Sequence, residues 1–253
     1  MRYWLVLTVC SLVYSCGLIS TSDPVVVTSI DEELRLDLWN PLGAEHSLQL
    51  NLSTLDPKCA TSEIVTSYSQ QGLNLQISIQ GLPQSGSCQG TQEILQSSIP
   101  AFISPGVFNV TIDLSKSFTN SGKLTFDGQV YVLTMESSDG LEIGHDRLYK
   151  IPPGTIWGNI SSDQDASAIN AEFLADFDGV GMVADLPSGY YGHFTVTDAD
   201  VQLVPTEQRI FNYPFIYALT GQLSELQAMI DDLRASYGNQ VSIECTTWSG
   251  KSL

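Results

Sequence analysis

The chain has 253 residues and carries 28 Asp and Glu against 10 Lys and Arg, a formal net charge of −18. So acidic a chain argues against nucleic acid and against anionic head groups held by basic patches, and it points to cations or metal ions as charged partners. Its length suits two domains, each long enough to bury a core.

The first residues set the address. Arg2 is a minimal positive n-region, and residues 4–14 form an apolar run broken only by Thr8 and Ser11. A run of this length is too short for a bilayer span of roughly 20 residues but suits the core of a signal peptide. Val13-Tyr14-Ser15-Cys16 follows it. These residues resemble the lipobox of bacterial lipoproteins. The resemblance covers the signal segment alone. It implies cleavage before Cys16, diacylation of its thiol, and an exported protein anchored to an outer membrane or cell surface. Residues 1–15 are then a signal peptide and 16–23 a lipid-anchored linker. Cys10 leaves with the signal and Cys16 carries lipid, so Cys59, Cys88 and Cys245 remain. Cys59 and Cys88 flank one strand-rich stretch and are expected to pair in an oxidising compartment, with Cys245 left over.

Residues 24–150 read as a β-sandwich. Leu34, Leu36 and Leu38 alternate with Arg35 and Asp37, and Leu48, Leu50 and Leu52 alternate with Gln49 and Asn51. The same period of two recurs over 73–79 and 108–114, each a strand with one apolar and one wet face. Shorter strands are expected at 25–30, 63–68, 124–126 and 130–135, the last two joined by an Asp127-Gly128 turn. One-sided strands with antiparallel turns need a second sheet to cover them. The strand count and lengths look immunoglobulin-like, without the antibody Trp between the cysteines.

Ile151-Pro152-Pro153-Gly154 breaks the pattern inside a junction region, residues 141–160, and residues 151–253 read as a smaller α+β domain. Leu223, Leu226, Ile230, Leu233 and Tyr237 make one apolar stripe of a helix over 222–237, ended by Gly238-Asn239. Strands at 215–219 and 241–245 flank it, a strand–helix–strand unit. Residues 165–177 fit either a helix or a strand. Phe211, Tyr213, Phe215 and Tyr217 fall at period two, as a core filling or as a flat surface for sugar rings. Pro214 among them requires an edge or a broken strand. Tyr190 and Tyr191 extend the aromatic content and are candidate ligand contacts. Cys245 shares a strand face with Val241 and Ile243, which makes it a buried, inert thiol rather than a nucleophile.

His46, His145 and His193 are scattered, and no zinc, serine-hydrolase or nucleotide motif occurs. Residues 151–208 contain no Lys or Arg, while Asp163/Asp165, Asp176/Asp178 and Asp198/Asp200 stand as Asp-x-Asp pairs. Such pairs either fan out into water or converge on calcium. Asp176-Phe177-Asp178-Gly179 is the favoured calcium loop, with Asp163 and Asp165 second, although the EF-hand spacing is not met. No other cofactor and no catalytic residue is indicated. The chain therefore reads as a mainly β, lipid-anchored envelope protein with a non-catalytic role in binding or assembly, taking a protein or glycan ligand. The alternative is a secreted hydrolase that uses paired carboxylates on a glycan.

Overall fold

The computed structural model describes residues 33–43, 47–81, 88, 90–115, 118–198, 200–203 and 209–253. The signal segment, Cys16, His46 and the strand expected at 25–30 lie outside these residues. The protein is mainly β. Its first strands are β1 (Leu34–Trp39), β2 (Ser47–Thr54), β3 (Lys58–Cys59), β4 (Val65–Gln71), β5 (Asn74–Gly81) and β6 (Gln92–Glu93). Next come β7 (Gln96–Phe102), β8 (Gly106–Leu114), β9 (Phe118–Phe126), β10 (Val130–Met135), β11 (Leu141–His145) and β12 (Arg147–Tyr149).

Two sheets face each other. One has the order β11-β1-β2-β7 and the other β12-β10-β9-β8-β5-β4. The alternating leucines of β1 and β2 point into a single core with Leu75, Ile77, Ile99, Ile112, Phe126 and Leu148. Period-two burial on β1, β8 and β9 is what leaves their outer faces wet. Asp127 accepts the backbone N–H groups of Gln129 and Val130 and so closes the expected hairpin. Two pairings are parallel, β1 with β11 and β5 with β8. The antiparallel turns read from the sequence showed no sign of either. Parallel neighbours need a crossover. Between β5 and β8 the chain leaves for the other sheet to form β7, which supplies it.

The second region contains β13 (Thr155–Ser162), α1 (Ser167–Phe177), β14 (Gly181–Val183), β15 (Gly189–Tyr190), β16 (Phe194–Val196) and β17 (Val201–Leu203). It ends with β18 (Phe211–Leu219), α2 (Leu223–Tyr237) and β19 (Val241–Thr247). Its main sheet runs β14-β18-β13-β19, antiparallel throughout. With α1 after β13 and α2 after β18, this is the split βαβ arrangement, interrupted by an insertion that carries the small sheet β15-β16-β17. The strand–helix–strand unit is present, but β18 and β19 do not touch: β13 lies between them. Residues 141–160 are not an irregular junction either. They hold β11 and β12 of the sandwich and the central strand β13, separated by the turn at 151–154.

Both helices cover one sheet face, where Phe173 and Phe177 of α1 and Leu226, Ile230 and Leu233 of α2 meet Ile156, Ile160, Phe215 and Tyr217. Within residues 165–177, Ser167–Phe177 settle as a helix, and Phe173 and Phe177, four apart, fall on its buried side. A capping box between Gln222 and Glu225 starts α2. Arg234 in its last turn donates to the carbonyls of Ile243 and Leu253, fastening the chain end. Trp157 and Ile216 emerge on the opposite sheet face and pack on Tyr191 and Phe194 of the insertion.

Candidate functional site

The outer face of the sheet β11-β1-β2-β7 carries polar side chains in rows that follow the strand register. Asp37 faces His145 on one side and Asn51 on the other, and Asn51 faces Ser98. One row therefore crosses all four strands as His145, Asp37, Asn51 and Ser98. Its members are hydrogen-bonded in pairs. His145 Nδ1 lies 2.7 Å from Asp37 Oδ1, and the Ser98 hydroxyl donates to Asn51 Oδ1 at 2.7 Å. A second row places Trp39 beside Gln49.

The insertion closes one end. Tyr190 stacks on His145 with ring centroids 3.7 Å apart and planes 13° from parallel. His193 packs on Trp39 at 4.3 Å and donates from Nε2 to the Asn40 carbonyl at 3.1 Å. A groove of about 470 Å³ results, lined by Trp39, Tyr190, Asp37, His145, Gln49, Asn51 and hydroxyls of β2 and β7.

Its charges are internally matched. Arg35 Nε holds Asp37 Oδ2 at 2.9 Å, and its Nη1 reaches Glu142 at 3.5 Å. The hydrogen bond to Asp37 raises the Arg35 pKa. Burial, with help from the Asp37 charge, pushes the Tyr190 phenol up to about 12, so it remains a neutral donor at any physiological pH. Gly144 makes room for this cluster. A Cβ there would fall on Arg35 Nε and Asp37 Oδ1.

The candidate residues from the sequence fare unequally. Cys59 and Cys88 form a disulfide that closes the segment containing β4 and β5, and Cys245 is free and buried. Burial pushes the Cys245 thiol up to about 12, which removes it as a nucleophile. Tyr190 and Tyr191 do not form one surface. Adjacent in an extended segment, they face opposite ways. Tyr190 walls the groove, whereas Tyr191 is buried and donates its hydroxyl to the Pro187 carbonyl. Of the aromatic stripe, Phe215 and Tyr217 are core, Tyr213 packs against that core, and Phe211 is exposed. Pro214 sits where β14 no longer pairs with β18, so the missing N–H costs no ladder bond.

The calcium loop is not a loop. Asp176 belongs to the last turn of α1 and Asp178 is its C-cap residue, so their side chains leave the helix in different directions. Asp163 and Asp165 precede the helix, a separation of roughly 16 Å along its axis. Asp165 is occupied structurally: it accepts the Ser167 backbone N–H and the Tyr213 hydroxyl, each at 2.9 Å, which lowers its pKa. All four carboxylates are exposed. Among the described residues no three His, Cys, Asp or Glu side chains gather into a metal-binding group.

The groove itself escaped the sequence reading because Asp37 and His145 are 108 residues apart. Only the parallel β1–β11 pairing joins them. The one available signal was the identity of the outward residues, Asp37, Trp39, Gln49 and Asn51, on strands whose inward faces were plain. Compared with known families, curated proteins and solved structures, the chain matches none.

Proposed function

We propose that the protein is a non-catalytic binding module, tethered to the cell envelope through Cys16, that holds an uncharged glycan in the outer groove of the four-stranded sheet. The groove's composition carries this reading. Trp39 and Tyr190 offer flat faces for pyranose rings, and the row Asp37, Asn51 and Ser98 offers carboxylate, amide and hydroxyl partners for sugar hydroxyls. The alternative hydrolase needs two carboxyl groups about 5–10 Å apart across a cleft, one held protonated. Asp37 and Glu142 instead lie on the same side and share the Arg35 guanidinium as ion-pair partner.

The test is a screen of the full chain on an array of neutral and acidic oligosaccharides, repeated with Trp39→Ala and Asn51→Ala. Binding to a neutral glycan, lost in both variants while the fold persists, is the expected result. Turnover of the bound sugar, or binding that survives both substitutions, would overturn the reading. The anchor is tested separately. Cys16→Ala should release the protein from membranes of a lipidating host, and a native N-terminus other than lipid-modified Cys16 would refute it.

A further inference from the structure

The sheet β14-β18-β13-β19 has two outer strands, and the chain treats them differently. On β19 the outward backbone groups are taken. The Leu253 N–H donates to the Cys245 carbonyl, Arg234 donates to that of Ile243, and the Thr247 N–H donates to the Lys251 carbonyl. On β14 they are free. The Thr220 N–H donates to the Val180 carbonyl and the Ala184 N–H to that of Ile216, so the even-numbered residues here bond toward β18. The alternation of an antiparallel ladder then points the N–H and C=O groups of Gly181 and Val183 outward, where they have no partner among the described residues. Sheet edges are commonly guarded by lysine, proline, a bulge or a covering segment. Apart from its short length, β14 carries no such guard, and it exposes Met182 by 60% and Val183 by 74%.

The charge around this edge gives the partner its chemistry. A helix C-terminus carries partial negative charge and favours Lys or Arg in its last turn, as α2 has Arg234. Helix α1, which leads into β14, has no base there. Asp176 stands in its last turn instead, and Asp178 is its C-cap residue. Burial and then the Asp178 charge raise the Tyr217 pKa, and Tyr217 faces Val183 across the ladder, so this negative end lies beside the edge. Asp185 follows β14 directly, and residues 151–208 contain no Lys or Arg. Among the described residues none of the three carboxylates has a hydrogen-bond or ion-pair partner.

We propose that β14 is the docking edge for an extended, basic segment of a partner protein, which adds to the sheet as a fifth strand. The partner's backbone meets the Gly181 and Val183 groups, its apolar side chains meet Met182 or Val183, and its Lys or Arg supplies the cation that the end of α1 lacks. A second copy of this chain fits poorly, because pairing β14 with itself sets the same aspartates against their twins.

The probe is an end-blocked hexapeptide of alternating lysine and valine, with glutamate in place of lysine as its control. Each is titrated into the isotope-labelled full chain while the Gly181 and Val183 amides are followed by NMR. The basic peptide should shift both saturably and slow hydrogen exchange at Val183 about tenfold or more, and the acidic one should do neither. Val183→Pro removes an outward N–H and no ladder bond, so it should abolish binding while β14 persists. Val183→Lys keeps the backbone and should weaken binding by repulsion, which keeps the test decisive if the proline variant does not fold. Asp176→Asn with Asp178→Asn should weaken it about three- to tenfold. Binding undiminished in the folded Val183 variants is attraction to the acidic chain at large and overturns the proposal. Equal binding of the acidic peptide, or the absence of saturable shifts, does the same. So does self-association of the free chain that Val183→Pro abolishes, which would assign the edge to a second copy.

Discussion

The four-stranded sheet of the sandwich and the four-stranded sheet of the second region treat their two faces differently. In the sandwich sheet only the inner face is covered, so β1 alternates buried leucine with half-buried Arg35, Asp37 and Trp39. In the second region helices cover one face and the insertion packs on the other, and all eight residues of β13 are buried. A sheet with a free face can present a ligand surface along its register. A sheet closed on both sides can only position its loops. The same contrast governs polar groups. On the sandwich they form rows open to solvent, whereas the buried side chains of Asn159 and Ser162 in β13 each need a partner and find it in Asn212 and the Gln240 carbonyl.

The disulfide makes the sharpest test of whether the regions stand separately. Cys59→Ser with Cys88→Ser should cost the sandwich about 3–4 kcal/mol through the freed loop. A biphasic denaturant melt, with the sandwich transition moved and the other unmoved, is expected. One transition that shifts as a whole would show that the junction couples them.

Gly158→Ala probes the doubly covered sheet. A Cβ there falls on the Glu244 carbonyl of β19 and 2.5 Å from the Phe215 ring, so the strands must part. The expected loss is about 2–3 kcal/mol in the second region, read from the same melt. Gly144→Ala is the counterpart on the open sheet. The atoms nearest its Cβ belong to the side chains of Arg35 and Asp37, which can swing toward solvent, so stability should change by less than about 1 kcal/mol. Glycan binding should nonetheless weaken, because Asp37 loses its position. A large stability loss in Gly144→Ala would contradict the idea that the outer face is free to serve a ligand.

His193 gives a pH handle on the contact between the insertion and the sandwich. Burial lowers its pKa below the ordinary 6.5, while the hydrogen bond to the Asn40 carbonyl works the other way. The unfolded chain therefore takes up a proton that the folded chain resists. Stability is full above about pH 6.5 and declines as the pH falls toward the lowered folded value. His193→Gln keeps a donor for Asn40 and should flatten that part of the curve of melting temperature against pH. Smallest of all, Cys245 should resist alkylation at pH 8 until the second region unfolds, since its thiol is buried.

The sequence by itself determined the elements whose burial is one-sided. Period two across 34–38, 48–52, 73–79 and 108–114 and the apolar stripe of α2 follow from geometry within a single strand or helix, and the structure places each there except Leu73, which sits exposed in the turn before β5. The buried Cys245 was legible for the same local reason, and the Cys59–Cys88 pair from the cysteine count and the strand-rich stretch the two residues flank. Strand β13 was not, because a strand covered on both faces has no alternation to read, and Gly158, Asn159 and the two serines look like a loop. Strands β11 and β12 were missed too: they are short, and their pairing with β1 and β10 is a long-range choice. The candidate sites belong to tertiary structure almost entirely. Register across strands distant in sequence set His145 against Asp37, the insertion set Tyr190 over them, and helix α1 turned a supposed calcium loop into a helix end. Hydrophobic periodicity is a property of neighbouring residues, whereas the meeting of polar groups depends on which strands pair, and that is decided only when both sheets close over one core.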